Sequence, residues 1–491
     1  MPRSKPIAAM TTASQPAMFP PRRAGLMAIA IAIAVITGGC ASGPDYRAPA
    51  TPETAAGPFV SKPADTQPTA SLPPDWWKLY DDPALDNLVQ DALSANTNLR
   101  VTLANLDRAR AIYTEARAGL LPSTNVSAGA GYGRDQSTWA GTGQAPTQWS
   151  YSGGLDVSYE LDLFGRVRRD IEAARDDTDA VAATHDAAKV VVVAETTRAY
   201  LDACTYGESI GVAHSSIELA QHSLDLVSGQ EHAGSASRLD VERAAVTLAQ
   251  ARAALPPLQG QRDAALFELA ALVGRTPSQV PESARNCTQA PEIAGALPIG
   301  DGTALLRRRP DLRQAERQLA ADTARIGVAV ADLYPRVTLG ASGNYLRNDY
   351  LKGNRTWSFS LGPLISWSFP NTMVARSRIA QAKAQNAASL ASFDGAVLNA
   401  LKESEQALSA YGAAMQQREA LIEARNRAEK AFQLADQRYH AGSISYLDVI
   451  VAQTSLIDTK SQVAAADQRV ASARVSVFKA LGGGWEQATT K

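Results

Sequence analysis

Apolar and polar residues alternate along four segments of the chain, the pattern of β-strands with one apolar and one polar face. Serine, glycine and acidic residues fill most of the polar positions. The sequence therefore predicts two strand pairs, over 123–162 and 336–369. The apolar positions are Val126, Ala128, Ala130 and Tyr132; Trp149, Tyr151, Leu155, Val157, Tyr159 and Leu161; Val337, Leu339, Ala341 and Tyr345; and Trp357, Phe359, Leu361, Pro363, Ile365, Trp367 and Phe369.

The apolar faces of these strands fit a membrane better than a small soluble core. Each segment is about as long as the 9–11 residues that a tilted spanning strand needs. In the second and fourth segments the aromatic residues lie near both ends, as in the aromatic girdles of outer-membrane barrels. A soluble hairpin with one face on a core is the alternative, and it explains any single strand better. Four strands with the same pattern favour exposure to lipid.

Two very long helical segments follow the strand pairs. The chain has no proline from 147 to 255 or from 371 to 491, and good helix formers dominate both stretches. We predict two antiparallel helical hairpins, over 166–273 and 374–481. At 1.5 Å per residue, the first helix of each hairpin is roughly 100 Å long.

Two further features qualify the helical prediction. A shorter helical pattern covers 83–119, and Pro256 and Pro257 predict a kink in the return helix of the first hairpin. Alanine-rich surfaces allow these helices to pack closely, as in coiled coils. A soluble coiled-coil scaffold is therefore the alternative for the helices alone, but it does not explain the four strands.

The chain repeats itself. His232-Ala233-Gly234-Ser235 recurs at a constant offset of 208 residues as His440-Ala441-Gly442-Ser443. Such an offset is far longer than a solenoid repeat, so it indicates a duplicated half-molecule. We predict the two halves at 75–273 and 311–485, with a connection at 274–310. The same offset relates Glu195, Ala199, Ser237, Leu239, Asp240 and Val241 to Glu403, Ala407, Ser445, Leu447, Asp448 and Val449.

The first residues have the order of an export signal. Positive charges precede a short apolar run at 26–36, and small residues lead to Cys40. We predict a signal peptide over 1–39, with Cys40 as the lipidated first residue of the mature protein. An ordinary signal peptide, in which Cys40 has no role, is the alternative. A Pro-rich linker is predicted over 40–74, and 486–491 form a C-terminal tail.

Charge and cysteine content narrow the class of partner. The 48 basic and 49 acidic residues nearly cancel without long blocks of one sign, which argues against a nucleic-acid surface. No later apolar stretch is long enough for a spanning helix, so any membrane crossing must use strands. Cys204 and Cys287 either form a disulfide, which an oxidising periplasm permits, or remain buried free thiols.

The sequence contains none of the common catalytic or metal-binding motifs. It has no Gly-rich phosphate loop, no His-Glu-x-x-His and no paired-cysteine metal motif, so we predict neither an enzyme nor a cofactor. His232 and His440 could form a metal or proton site. A polar residue near a helix end, where the partial negative charge favours it, explains both better. Arg307-Arg308-Arg309 lies near acidic residues and predicts a surface ion network.

Five short motifs follow one another in a fixed order. They are Asp75-Trp76-Trp77, Leu305-Leu306-Arg307-Arg308-Arg309-Pro310-Asp311 with Ala315-Glu316, Asp332-Leu333-Tyr334-Pro335, Tyr439-His440-Ala441-Gly442 and Ala480-Leu481-Gly482-Gly483-Gly484-Trp485. In this order and spacing they resemble the motifs of TolC-type outer membrane factors, in particular the NodT-like and OprM-like lipoproteins of tripartite (RND-type) drug-efflux systems. The resemblance implies an α+β membrane protein and a homotrimer, in which four strands per protomer form one twelve-stranded outer-membrane barrel above a long α-helical periplasmic tunnel.

Strand physics also requires an oligomer. Four strands cannot close a barrel, and unpaired strand edges cannot lie in lipid. Two copies give eight strands, whose interior is filled by side chains, whereas three copies give twelve and leave room for a water-filled passage.

The resemblance places a gate at the periplasmic end, where the two repeated turns lie. The candidate residues are Tyr439, Leu447, Asp448, Leu239 and Asp240. By similarity, Leu447 lines an apolar constriction. The two aspartates either supply charge to the gate or cap the helices that follow the turns, and the sequence favours neither role.

The predicted function is a passive exit duct of a tripartite efflux pump that exports small toxic compounds. It is anchored by lipid in the outer membrane, with its helices in the periplasm. Its partners are a periplasmic adaptor and an inner-membrane transporter. Opening would be a two-state change driven by contacts with the adaptor. A type I protein-secretion duct is the first alternative, and a structural coiled-coil lipoprotein is the second.

Overall fold

The protein is mostly helical and has one four-stranded sheet. The computed structural model describes residues 42–50, 53–135 and 141–485. Cys40, with the predicted signal peptide, and the tail 486–491 lie outside the described residues. Within the described part of the chain, no helix has both the length and the apolar character needed to cross a membrane.

The helices and strands are numbered in chain order. The helices are α1 (Pro83–Ala95), α2 (Thr97–Ala118), α3 (Arg166–His232), α4 (Arg238–Leu272), α5 (Glu282–Arg285), α6 (Gly302–Arg308), α7 (Pro310–Ala331), α8 (Met373–His440) and α9 (Tyr446–Ala480). The sheet strands are β1 (Ser123–Gly133), β2 (Gln148–Leu161), β3 (Arg336–Arg347) and β4 (Trp357–Ser366). A two-residue parallel bridge pairs Thr66–Gln67 with Leu297–Pro298. Short 3-10 segments occupy Glu53–Ala55, Trp76–Tyr80, Pro277–Gln279 and Gly353–Thr356.

The chain forms two compact units. The first contains the sheet and includes Ala118–Asp170 and Arg325–Ile379. The second contains most of the helical residues and comprises Asp45–Arg117, Ile171–Ala324 and Ala380–Lys491.

The sheet has a simple antiparallel order, β1-β2-β3-β4, so the two predicted strand pairs join through β2 and β3. Its register gathers the alternating residues onto two faces. Asp156 lies opposite Asn125 and Ser342, whereas Leu155 lies opposite Val126 and Gly343. Because directly opposite residues point to the same side, one face is polar and the other is apolar.

Large apolar side chains of the sheet are exposed in the single chain. Phe359 is 89% exposed and Leu361 is 82% exposed. β4 ends at Ser366, three residues before the predicted end of the strand pair. Pro370, which has no N–H to donate to a strand ladder, follows shortly after.

The helical pattern predicted over 83–119 is two helices, because Asn96 starts a new one. The Asn96 Oδ1 accepts the backbone N–H groups of Asn98 and Leu99, at 2.9 and 3.3 Å. Its Nδ2 donates to the Leu272 carbonyl at 2.9 Å, so the junction is also tied to α4. A side chain that caps a helix start in this way separates two helices that share one periodicity.

The return helix of the first hairpin is continuous. α4 passes through Pro256 and Pro257 and extends to Leu272. The two prolines remove backbone donors without ending the helix.

The segment before α1 is packed, although its composition predicts a linker. Phe59 and Leu72 are buried in the main core of the second unit. The backbone N–H groups of Val60 and Ser61 donate to the two carboxylate oxygens of Glu405, at 2.7 and 2.8 Å. These contacts join residues about 345 positions apart, so local composition could not predict them.

Three of the motifs that carry the family resemblance, those at Asp75, Leu305 and Ala480, meet in the second unit. Trp76 is fully buried and stacks on Phe478, with ring centroids 4.5 Å apart. A Cβ on Gly483 would lie 2.9 Å from the Trp76 ring. The Trp485 indole N–H donates to the Arg308 carbonyl at 3.0 Å. Glycine is therefore required where the last motif packs against the first.

Arg309 is buried, which corrects the prediction of a surface network. Its guanidinium donates to the Asp311 carboxylate at 2.9 and 2.7 Å, to Glu403 at 2.8 Å and to the Ala480 carbonyl at 2.9 Å. A guanidinium with five N–H donors can be buried when several acceptors surround it, as they do here.

Candidate gate at the helical turns

Each long hairpin turns on a glycine with positive φ. Gly234 has φ +77° after α3, and Gly442 has φ +69° after α8. Only glycine adopts this backbone conformation at little cost, which explains why both copies of the repeated tetrad contain it. Ser237 and Ser445 then start α4 and α9 as N-cap residues.

Asp240 and Asp448, the two candidate gate aspartates, form capping boxes in the structure. The Ser237 hydroxyl donates to Asp240 Oδ2 at 2.6 Å, and the Asp240 backbone N–H donates back to Ser237 Oγ at 3.2 Å. In the second turn the hydroxyl and the N–H of Ser445 donate to Asp448 Oδ2, at 2.8 and 3.1 Å. These contacts stabilise the start of each return helix, as the capping alternative predicts.

The two histidines lie at helix ends. The His232 Nδ1 is 2.6 Å from the Ser228 carbonyl oxygen, and the His440 Nδ1 is 2.9 Å from that of Asp436. Both contacts are local, within one helical turn, and fit the interpretation of polar residues near a helix C-terminus.

Tyr439 links the two hairpins. Its hydroxyl donates to Gln230 Oε1 across 209 positions of sequence. Its ring lies 5.4 Å from that of Tyr446, centroid to centroid. Burial raises the pKa of both tyrosine hydroxyls above their usual value, so both remain protonated donors at neutral pH. Tyr446 belongs to a small core beside the turns that also contains Val227, Val241, Ala244 and Val449.

A second polar contact lies deeper between α3 and α9. The Tyr446 hydroxyl donates to the Ser223 carbonyl at 3.0 Å, and the Ser223 hydroxyl donates to Gln453 Oε1 at 2.9 Å. Gln453 is 1% exposed, and its Nε2 has no hydrogen-bond partner among the described residues. The sequence alone does not reveal these residues, because isolated polar residues inside a helix carry no motif.

A family comparison decides the class of protein. The family model described as "Outer membrane efflux protein" matches residues 88–275 and 303–483. The chain belongs to the outer membrane efflux protein family.

Individual relatives agree with this assignment. The solvent efflux pump outer membrane protein SrpC of Pseudomonas putida is 31% identical over 460 residues, which cover 92% of this chain and 97% of SrpC. The outer-membrane channel OprN is 35% identical, with a TM-score of 0.83 and coverage of 91% of this chain and 100% of OprN. MtrE of Neisseria gonorrhoeae, solved in its open state, is 26% identical, with a TM-score of 0.79 and coverage of 92% and 100%. The predicted outer-membrane efflux function is therefore confirmed.

The two candidate gate leucines of this outer membrane efflux protein are exposed in the single chain. Leu239 is 57% exposed and Leu447 is 43% exposed. Neither belongs to the small core that contains Tyr446. Both side chains are therefore available for contacts outside the protomer.

Contacts between α3 and α9 continue far beyond the turns. Gln468 donates to Asp202 at 3.1 Å, and Lys479 donates to Glu195 at 2.7 Å. Burial raises the pKa of the Asp202 carboxyl above its usual range. This outer membrane efflux protein thus joins its two hairpins by polar side chains at intervals along one helix pair.

The two remaining cysteines are joined in the structure. Cys204 on α3 and Cys287 after α5 form a disulfide, with Cα atoms 4.9 Å apart. The Arg262 guanidinium donates to the carbonyls of Arg285 and Cys287, at 2.7 and 3.0 Å. The disulfide and this arginine therefore hold the connecting segment against the first hairpin.

Proposed function

We propose that three copies of this chain form a passive exit duct across the outer membrane for small toxic compounds. The observation that carries the proposal is the division of the sheet into an apolar and a polar face. An apolar face with exposed aromatic side chains suits lipid, and a face of serine, glycine and aspartate suits a water-filled bore.

The free edges of the sheet support the trimer. Among the described residues, β1 and β4 each pair on one side only, and their unpaired backbone groups require partners in lipid. Pairing β4 of one copy with β1 of the next satisfies these edges. Three copies then give a barrel of twelve strands, wide enough to conduct.

The duplicated halves support the rest of the architecture. We assign 75–273 and 311–485 as the two repeats, each with a strand pair and a long hairpin, and 274–310 as the equatorial connection. The hairpins form the periplasmic tunnel, and lipid on Cys40 adds a second anchor in the outer membrane.

The gate lies at the two repeated turns. In the resting state Tyr439 holds α8 to α3 through Gln230, and Leu447 narrows the bore. Asp240 and Asp448 cap their helices and carry charge at the same level. A periplasmic adaptor, recruited with an inner-membrane transporter, opens the gate by binding the separated turns more tightly than the joined ones.

Reconstitution tests the duct. Detergent-extracted protein should cross-link as a trimer and conduct ions in a planar bilayer. Deletion in the parent cell should increase susceptibility to small toxic compounds without loss of a secreted polypeptide. A detergent-free monomer that does not conduct contradicts the proposal, and loss of a secreted polypeptide instead supports protein secretion.

A double-mutant cycle tests the gate. Tyr439→Phe and Gln230→Ala should each raise conductance, and the double variant should add little to either, because both remove the same hydrogen bond. Leu447→Ser should also raise conductance. Tyr113→Phe is the matched control, because Tyr113 lies on α2, outside the turns, with its ring under the Arg117 guanidinium. Additive effects of the two gate substitutions would disprove their coupling.

A further inference from the structure

The polar face of the sheet contains one isolated charge. Its charged residues in the four strands are Asp156, Glu160 and Arg336. Glu160 accepts two hydrogen bonds from Arg166, at 2.9 and 2.7 Å, and lies 3.9 Å from Arg336. Asp156 is exposed, and its carboxylate has no hydrogen bond or ion pair with any described residue. The charge of Asp156 is therefore uncompensated on this face.

Distance separates Asp156 from the charged pair at the end of the strands. Glu160 is four residues further along β2, which corresponds to about 13 Å. The Debye length is about 8 Å at physiological ionic strength, so the Arg336 cation is largely screened from Asp156. The directly opposite residues, Asn125 and Ser342, are uncharged. Arg347, the other cation of the strands, lies on the apolar face opposite Tyr151.

The surroundings of Asp156 favour a wet site. Small polar residues flank it on the same face, so no bulky side chain covers the carboxylate. An unpaired carboxylate in a dry interior costs several kcal/mol or is forced to protonate. The neighbours on this face are Ser127, Gly154, Ser158, Gly340, Asn344 and Ser360.

We propose that Asp156 makes the bore of the sheet cation-selective, so that the duct passes cationic and neutral compounds more readily than anionic ones. This rests on the proposed trimeric duct, in which three copies of Asp156 form a ring at one level. Rings of aspartate or glutamate select cations in channels, and low-dielectric walls focus their field on the bore.

Thiol reactivity tests the local potential independently of the gate. Ser158 and Leu155 both lie close to Asp156 in sequence. Ser158 is on the same polar face as Asp156, and Leu155 is on the apolar face. In intact cells, Ser158→Cys should react with water-borne methanethiosulfonate reagents, severalfold faster with a cationic than with an anionic reagent. Adding Asp156→Asn should bring the two rates together. Leu155→Cys should stay unreactive towards both charged reagents.

Bilayer measurements give the second readout. In a KCl gradient the wild-type reversal potential should indicate preference for K⁺. Asp156→Asn should shift the reversal potential towards zero. Asn344→Asp, which adds a carboxylate on the same face, should shift the reversal potential further towards the K⁺ equilibrium potential. Glu282→Gln removes an exposed carboxylate outside the strands and should leave it unchanged.

The outcomes separate the two proposals. If Leu155→Cys reacts and Ser158→Cys does not, the assignment of the two faces is wrong. This result contradicts both the proposed duct and the proposed role of Asp156. If Ser158→Cys reacts equally fast with both reagents, or if Asp156→Asn leaves the reversal potential unchanged, the proposed role of Asp156 is wrong. The proposed duct is not contradicted by either result.

Discussion

Aspartates of this chain have different roles because their surroundings differ. Asp240 and Asp448 accept hydrogen bonds at helix starts, where the helix dipole favours a negative charge. Asp202 is partly buried between two helices, and burial raises its pKa. Asp156 lies exposed on a strand, and its carboxylate has no polar side-chain partner among the described residues. The type of residue suggests the available chemistry, but its partners decide the role.

The disulfide should contribute strongly to stability. It links residues 83 positions apart, and loop-closure entropy then predicts a loss of about 4–5 kcal/mol when the link is removed. Replacing both Cys204 and Cys287 with alanine should lower the thermal unfolding temperature in detergent. A reductant should reproduce the effect in the wild type. Alkylation of two free thiols in the native protein, without reductant, would contradict the bond.

Asp202 should make stability depend on pH. Its folded pKa is raised by burial, so its protonated form is favoured by folding. The associated stability is present below the unfolded pKa of about 3.9 and is lost as pH rises through the folded pKa. Asp202→Asn keeps an acceptor for Gln468 and should raise the unfolding temperature at pH 7. The advantage should vanish as the pH approaches 4.

Asp107→Asn is the control for this pH experiment. Asp107 is exposed and pairs with Arg110 on the surface of α2, so its replacement should have little effect at either pH. An advantage of Asp202→Asn that does not change with pH would show that ionisation is not its cause.

Regular elements were predicted from the sequence where one periodicity decides the structure. The strands follow a period of two and the long helices follow unbroken helix formers, so both could be located. Local sequence patterns did not predict the structure where a residue distant in sequence determines it. Phe59 is buried by residues far along the chain, and Asn96 donates to the distant Leu272 carbonyl where α1 ends.

The candidate gate was only partly predictable for the same reason. The repeated glycines and aspartates mark the turns, because turn and cap chemistry is local. Ser223, Gln453 and Gln230 carry no local signal and become visible only when α3 packs beside α8 and α9.

The capping box of α9 should be measurable at the level of the helix. Ser445→Ala removes the cap hydroxyl but keeps the charge of Asp448, and caps of this kind contribute about 1 kcal/mol. Hydrogen exchange in the first turn of α9 should accelerate about fivefold. Conductance should not change, because the carboxylate remains. Ser455→Ala, at an exposed site within α9, should leave exchange at the helix start unaltered.

At the scale of the whole molecule, the two faces of the sheet and its two free edges point to the same assembly. One chain leaves large apolar side chains in contact with water and leaves two strands half-paired. Joining copies edge to edge satisfies the strands, and lipid covers the apolar face. In this assembly, the polar faces of the copies face one another across a water-filled bore. The proposed trimer accounts for both features.

Neighbouring residues of β4 test this assembly. Leu361 and Ser360 are adjacent and point to opposite faces; Leu361 is 82% exposed, and Ser360 Oγ lies 2.9 Å from Ser342 Oγ. Leu361→Arg places a cation in lipid, at a cost of about 2–4 kcal/mol near the membrane midplane. It should reduce the amount of trimer in outer membranes, measured on semi-native gels. Ser360→Arg places its cation in the proposed water-filled bore, so this variant should form almost as much trimer as the wild type. Equal losses in the two variants would contradict the assigned faces, and a larger loss for Ser360→Arg would reverse them.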